Sequence, residues 1–192
     1  MNDFAILMSI KPEQCEKIAN GDKTLEIRKL FPDKVGESAK NFKPFKVYMY
    51  CTKKRYGDVI RVISPDTAEI TGTPVGKLVS VDKEFRDEKD ITVTGTVFGE
   101  FTCTGIVDFD VPSPAYQESF LQECKYILDE SNMSYDELRS YAKEKRVCGF
   151  KIEDVKLYDK PKSIYDYSLH GKSITLNKAP QTWCYVNREE NV

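Results

Sequence analysis

The stretch GDKTLEIRK, residues 21–29, sets cationic, hydroxyl and acidic side chains in a strand-like alternation directly after a glycine. Thr24, Glu26 and Arg28 fall on one side of an extended chain and Leu25 and Ile27 on the other, because successive strand side chains point to opposite faces. Lys23 and Arg28 suit phosphate or carboxylate, the arginine through a planar two-pronged donor set. Glu26, a carboxylate between two cations, can serve as a base or accept hydrogen bonds from a nucleobase edge. The competing reading is a solvated edge face with an ordinary ion pair, which contributes little. Spacing alone does not separate the two.

A second chemical stretch is KNFKPFKVYMYCTKKRY, residues 40–56, with six basic residues, no acidic ones and five aromatics. Cations there neutralise phosphates, and exposed aromatics stack on unpaired bases at ~1–3 kcal/mol each. Equally, Tyr48 and Tyr50 fill a core while the lysines solubilise a loop. His170 is a conceivable general base, alone or with Cys148 or Cys184, but both cysteines lie in apolar, strand-like surroundings typical of inert thiols. The cysteines at 15, 51, 103, 124, 148 and 184 form no C-x-x-C pair, and there is one histidine. No metal site follows from that spacing. Neither a phosphate-loop nor a dinucleotide glycine fingerprint is present, so no cofactor is expected.

The elements that must position these groups are readable in outline. FAILMSI (4–10) is an apolar run of strand length. PEQCEKIAN follows as a short helix with proline in its first turn and Gly21 placed for a left-handed cap. KVYMYCT, DVIRVIS, GKLVSV, DITV, TVFGEFTCTGIVDF, GFKIEDVKLYDKP and TWCYV read as strands, with glycines marking bulges in the long run at 96–109. PSPAYQESFLQECKYILDESN becomes helical, with Phe120, Leu121, Cys124, Ile127 and Leu128 on one stripe. SYDELRSYAKEK is a second helix, with Ser134 and Glu137 at capping-box spacing. Strands outnumber helices, so the expected class is α+β with a curled or barrel-like sheet and helices outside it.

With 192 residues, 40% hydrophobic and 31% charged, the chain has the composition of a globular protein. One domain over 1–192 is expected, with 57–93 and 110–145 as elaborations. A net charge of -2 means that any nucleic-acid contact must come from a local patch. MNDFAILMSIKP lacks the basic start of a signal peptide, and no apolar run reaches the roughly 18 residues of a membrane helix. A cytoplasmic protein with reduced thiols and no membrane partner is the expectation.

ILMSIKPEQCEKIANGDKTLEIRK resembles the opening of the ASCH domain family, whose G-x-K-T-x-E-x-R signature falls on Gly21, Lys23, Thr24, Glu26 and Arg28. VYMYCTK (47–53), TGTVFGEFTC (94–103) and PQTWCYV (180–186) extend the resemblance, the last to a bacterial and phage-like branch. The resemblance implies a PUA-like, mostly antiparallel β-barrel with flanking helices and a cleft beside the signature. Many members are assigned to RNA binding in translation or transcription control, a fold analogy rather than an activity. The implied partner is RNA, a nucleotide or a nucleoside, held by Lys11, Lys23, Glu26, Arg28, Lys53, Lys54, Arg55 and Tyr56.

Some small relatives are amidohydrolases acting on N4-acylated cytidine through a Lys–Thr–Glu set, and at least one relative is reported to cut RNA. Their lysine falls on Lys23, their threonine on Glu26, and their glutamate on Ser131 with Glu130 adjacent. Two of three positions therefore differ, and Glu26 offers no nucleophilic hydroxyl. If this chain is an enzyme of either type, Lys23, Thr24 and Glu26 carry it. The remaining alternative is a partner-binding domain with a vestigial cleft.

Overall fold

The computed structural model describes residues 3–35, 42–53, 57–143 and 145–189. Phe4–Ile10 (β1) is buried throughout. Pro12–Asn20 (α1) starts with proline, whose missing N–H would be unpaired there anyway, and ends at Gly21, whose φ of 89° places it in the left-handed region. The remaining elements are Leu25–Arg28 (β2), Phe45–Cys51 (β3), Asp58–Arg61 (β4), Pro65–Thr71 (α2), Leu78–Val81 (β5), Ile91–Thr92 (β6), Val97–Phe109 (β7), Gln117–Ser131 (α3), Tyr135–Ala142 (α4), Val147–Lys162 (β8) and Trp183–Asn187 (β9).

Six strands form one sheet in the order β2-β8-β7-β3-β1-β9, and a small sheet has the order β5-β4-β6. In the large sheet only β1 and β3 run parallel; the other neighbours are antiparallel. The class is α+β as expected, but the barrel is not there. β2 and β9 are the two edges and share no ladder, so neither sheet closes. Closure requires the edge strands to exchange backbone hydrogen bonds. Here side chains bridge the gap instead: Arg28 Nη2 donates to Ser9 O at 2.8 Å, and Trp183 Nε1 donates to Leu30 O at 3.3 Å.

Bulges allow the long β7–β8 pair to bend. Its register slips between Val97 and Gly99, Glu100 and Thr102, and Cys103 and Ile106. At Gly99 a Cβ would stand 2.5 Å from Lys156 O, so only glycine fits. The main core lies against α1 and includes Phe45, Phe98, Phe101 and Phe150. A second core packs Leu25 and Ile27 of β2 against Ile127 of α3 and Leu138 of α4. On the opposite sheet face Tyr48 and Tyr50 pack with Tyr167 and Val186. Thus Tyr48 and Tyr50 of the basic-aromatic stretch are core residues, 0% and 7% exposed, and its Lys46 lies 2.6 Å from Glu100 Oε1.

Sequence patterning did not reveal α2. It has seven residues, and part of the capping at its start comes from 26 positions further along, where Asp90 Oδ1 accepts from Ser64 N–H at 2.9 Å.

Candidate functional site

β2 enters the molecule at Thr24, whose backbone N–H donates to Glu130 O at 2.8 Å and whose carbonyl accepts from Ile152 N–H at 2.8 Å. Those bonds tie it to the end of α3 and to β8. The same pinning leaves the Thr24 side chain exposed, while all four residues of β2 are buried. Gly149 lies opposite Ile27, and a Cβ there would meet Leu25 side-chain atoms at 2.8 Å, so glycine lets β2 sit close to β8.

A cavity of about 570 Å³ opens beside this strand, within the range of pockets for small organic ligands. Its walls are Lys11, Glu13 and Gln14 at the start of α1, Lys23 with Glu26, Ile27 and Arg28 of β2, and Met133 with Asp136, Glu137, Ser140 and Tyr141 at α4. The α1 and α4 walls are joined below by Lys17 Nζ donating to Asn132 O at 3.1 Å and Asn132 Nδ2 donating to Asp22 O at 3.3 Å. α4 itself is set by a complete capping box between Ser134 and Glu137, and by Tyr135 OH donating to Pro112 O at 2.7 Å.

Within the cavity wall, Lys23, Glu26 and Arg28 are 3%, 5% and 9% exposed. Lys23 Nζ donates to Gln14 Oε1 at 2.6 Å and stands 2.9 Å from Glu26 Oε2. Glu26 Oε1 is 2.8 Å from Arg28 Nη2, the same nitrogen that reaches Ser9 O. One buried donor of this chain of charges, Arg28 Nε, has no hydrogen-bond partner among the described residues, while Glu26 Oε2 is held by its ion pair with Lys23. Burial pushes the Tyr141 hydroxyl's pKa up, with Arg28 opposing and Glu26 adding to the shift, so the phenol is neutral at pH 7. Three cations, Lys11, Lys23 and Arg28, and four carboxylates, Glu13, Glu26, Asp136 and Glu137, line the cavity, so its charges nearly balance.

Of the residues expected at a site, Lys11, Lys23, Glu26 and Arg28 line this cavity, while Thr24 and the exposed Lys53 do not. Lys54, Arg55 and Tyr56 lie outside the described residues. Ser131 is buried, with Oγ donating to Leu128 O at 3.3 Å. His170 packs edge-on against Phe4, ring centres 5.9 Å apart. Cys148 and Cys184 line no part of the cavity either, and burial raises their thiols to about 12 and about 11. Among the described residues no group of three His, Cys, Asp or Glu is placed to hold a metal ion.

Gln14, Met133, Asp136, Ser140 and Tyr141 were not anticipated. The 134–145 helix and its capping box are legible in the sequence, but the position of that helix over β2 is a tertiary fact with no local signal.

The fold is of the ASCH type. The ASCH protein of Zymomonas mobilis superposes with a TM-score of 0.53 at 15% identity, over 97% of this chain and 90% of that one. A serine-to-alanine variant of it gives 0.52 at 15% identity over 96% and 89%, and a tyrosine-to-phenylalanine variant 0.51 at 13% identity over 96% and 91%. No protein-family model and no curated protein matches the chain. No helix among the described residues is long and apolar enough to cross a membrane.

Proposed function

We propose that the cavity between α1, β2 and α4 binds a nucleobase, making the protein a nucleotide- or RNA-binding module. One observation carries this reading: the buried Arg28 Nε, on the wall of a small-ligand cavity, lacks a hydrogen-bond partner beside the Glu26 carboxylate, whose Oε2 is engaged by Lys23. Leaving such a donor unpaired is costly, and a ligand is a direct remedy. An acceptor beside an N–H donor complements the mixed donor and acceptor edge of a base. Met133 and Tyr141 offer apolar surface for the ring. Lys23 and Gln14 then act as positioning residues that hold the carboxylate.

Titration of the four ribonucleosides into the protein tests this. At least one is expected to bind, with affinity falling about 10- to 100-fold in Glu26→Gln, the scale of a hydrogen bond to a charged group. Arg28→Lys keeps the charge but removes the Nε–H, and is expected to weaken binding in the same direction. Unchanged binding in both folded variants would contradict the reading. Hydrolysis is the less supported alternative, because Thr24 lies outside the cavity wall. Incubation with N4-acylated cytidine and with labelled RNA is expected to give no turnover. Turnover that vanishes in Lys23→Ala would reverse that ranking.

A further inference from the structure

A second concavity of about 570 Å³ lies on the outer side of α4, lined by Asp136, Arg139, Ser140 and Lys143. It shares Asp136 and Ser140 with the base cavity, so the two hollows adjoin across one helix. We infer that this outer hollow takes the phosphate of the nucleotide whose base occupies the inner one. This inference rests on the nucleobase reading above.

Three features support it. Arg139 Nε is buried yet has no hydrogen-bond partner, so a guanidinium donor stands ready at the hollow. Arg139 and Lys143 form no ion pair with any described residue, unlike Lys23 and Arg28, which both engage Glu26. Lys11 of the inner cavity is likewise outside any ion pair with a described residue, so the outer side holds two of the three unpaired cations of the hollows. Lys143 also occupies the left-handed helix cap at φ 52°, a position that glycine fills without strain.

The end of a helix carries only roughly half a negative charge, which two full cations outweigh. Asp136, on the shared wall, repels a phosphate and suits a sugar hydroxyl. The order along the groove is thus base at Glu26 and Arg28, sugar at Asp136 and Ser140, phosphate at Arg139 and Lys143. Asp136 and Lys143 are seven positions apart, about 10 Å along a helix axis.

Calorimetry with each ribonucleoside and its 5′- and 3′-monophosphate, at low and high salt, tests the inference. One monophosphate is expected to bind about tenfold tighter than its nucleoside at low salt, and the gain is expected to shrink as salt rises. Lys143→Gly removes a cation and relieves the cap, so it is expected to lose most of the gain while its melting temperature holds or rises. Arg139→Gln is expected to lose the gain as well, with nucleoside affinity unchanged.

Equal affinities for nucleoside and monophosphate would overturn the inference and leave the base reading intact. A gain that survives both substitutions would also overturn it. If neither nucleosides nor monophosphates bind, both readings fall. A tetranucleotide that outcompetes the monophosphate would identify a strand as the phosphate's source, and the reverse order a free nucleotide.

Discussion

Glu26 holds two cations in place inside the protein, and the energetics of that arrangement are lopsided. A buried pair contributes little net stability over an apolar substitute, yet removing one member leaves a charge stranded in low dielectric. Glu26→Ala strands both Lys23 and Arg28, so urea unfolding is expected to show a loss of about 3–5 kcal/mol. Lys23→Ala leaves Glu26 with Arg28 and is expected to lose distinctly less. Equal losses would mean that the carboxylate is not the hub. The signature's polar residue types were legible from the sequence, but their burial was not. Alternation correctly sets Glu26 and Arg28 apart from Leu25 and Ile27, and says nothing about what covers each face.

At the scale of elements, the opening strand–helix–strand unit was legible because its signals are local: an apolar run, a proline at the helix start, a glycine past its end. α2 and the wall provided by α4 depend on distant partners. Asp90 shows this dependence. Burial pushes its carboxyl's pKa up, but N–H and hydroxyl donors from Ser64, Thr67 and Ile63 outweigh it and the net shift is downward. A depressed carboxyl contributes stability above its unfolded value near 3.9, lost as pH falls through the lower folded value. Asp90→Ala is expected to cost about 1–3 kcal/mol at pH 7, and the difference from wild type should narrow below about pH 4. A difference independent of pH would contradict that account. Ser134→Ala removes the cap of the α4 wall. It is expected to cost about 0.5–2 kcal/mol in thermal or urea unfolding and to weaken nucleoside binding.

Across the whole molecule, the open sheet curls enough to bring β2 within side-chain reach of β1, as the Arg28–Ser9 contact shows. The expectation of a barrel anticipated curvature but not the missing closure, because edge-to-edge pairing leaves no mark in strand patterning. The near-balance of charge in the cavity and the net charge of -2 have a joint consequence. Nucleoside affinity is expected to change by less than about threefold between low and high salt, since no net counterion release accompanies it. A steep salt dependence for an uncharged nucleoside would contradict the charge-balanced site.

The most direct measurement is a crystal structure of the protein soaked with the four ribonucleosides. The account predicts a base in the cavity, its edge within hydrogen-bond distance of Glu26 Oε2 and Arg28 Nε and its ring against Tyr141 or Met133. A nucleoside bound elsewhere, or a cavity holding only water with Arg28 Nε satisfied by it, would contradict the account.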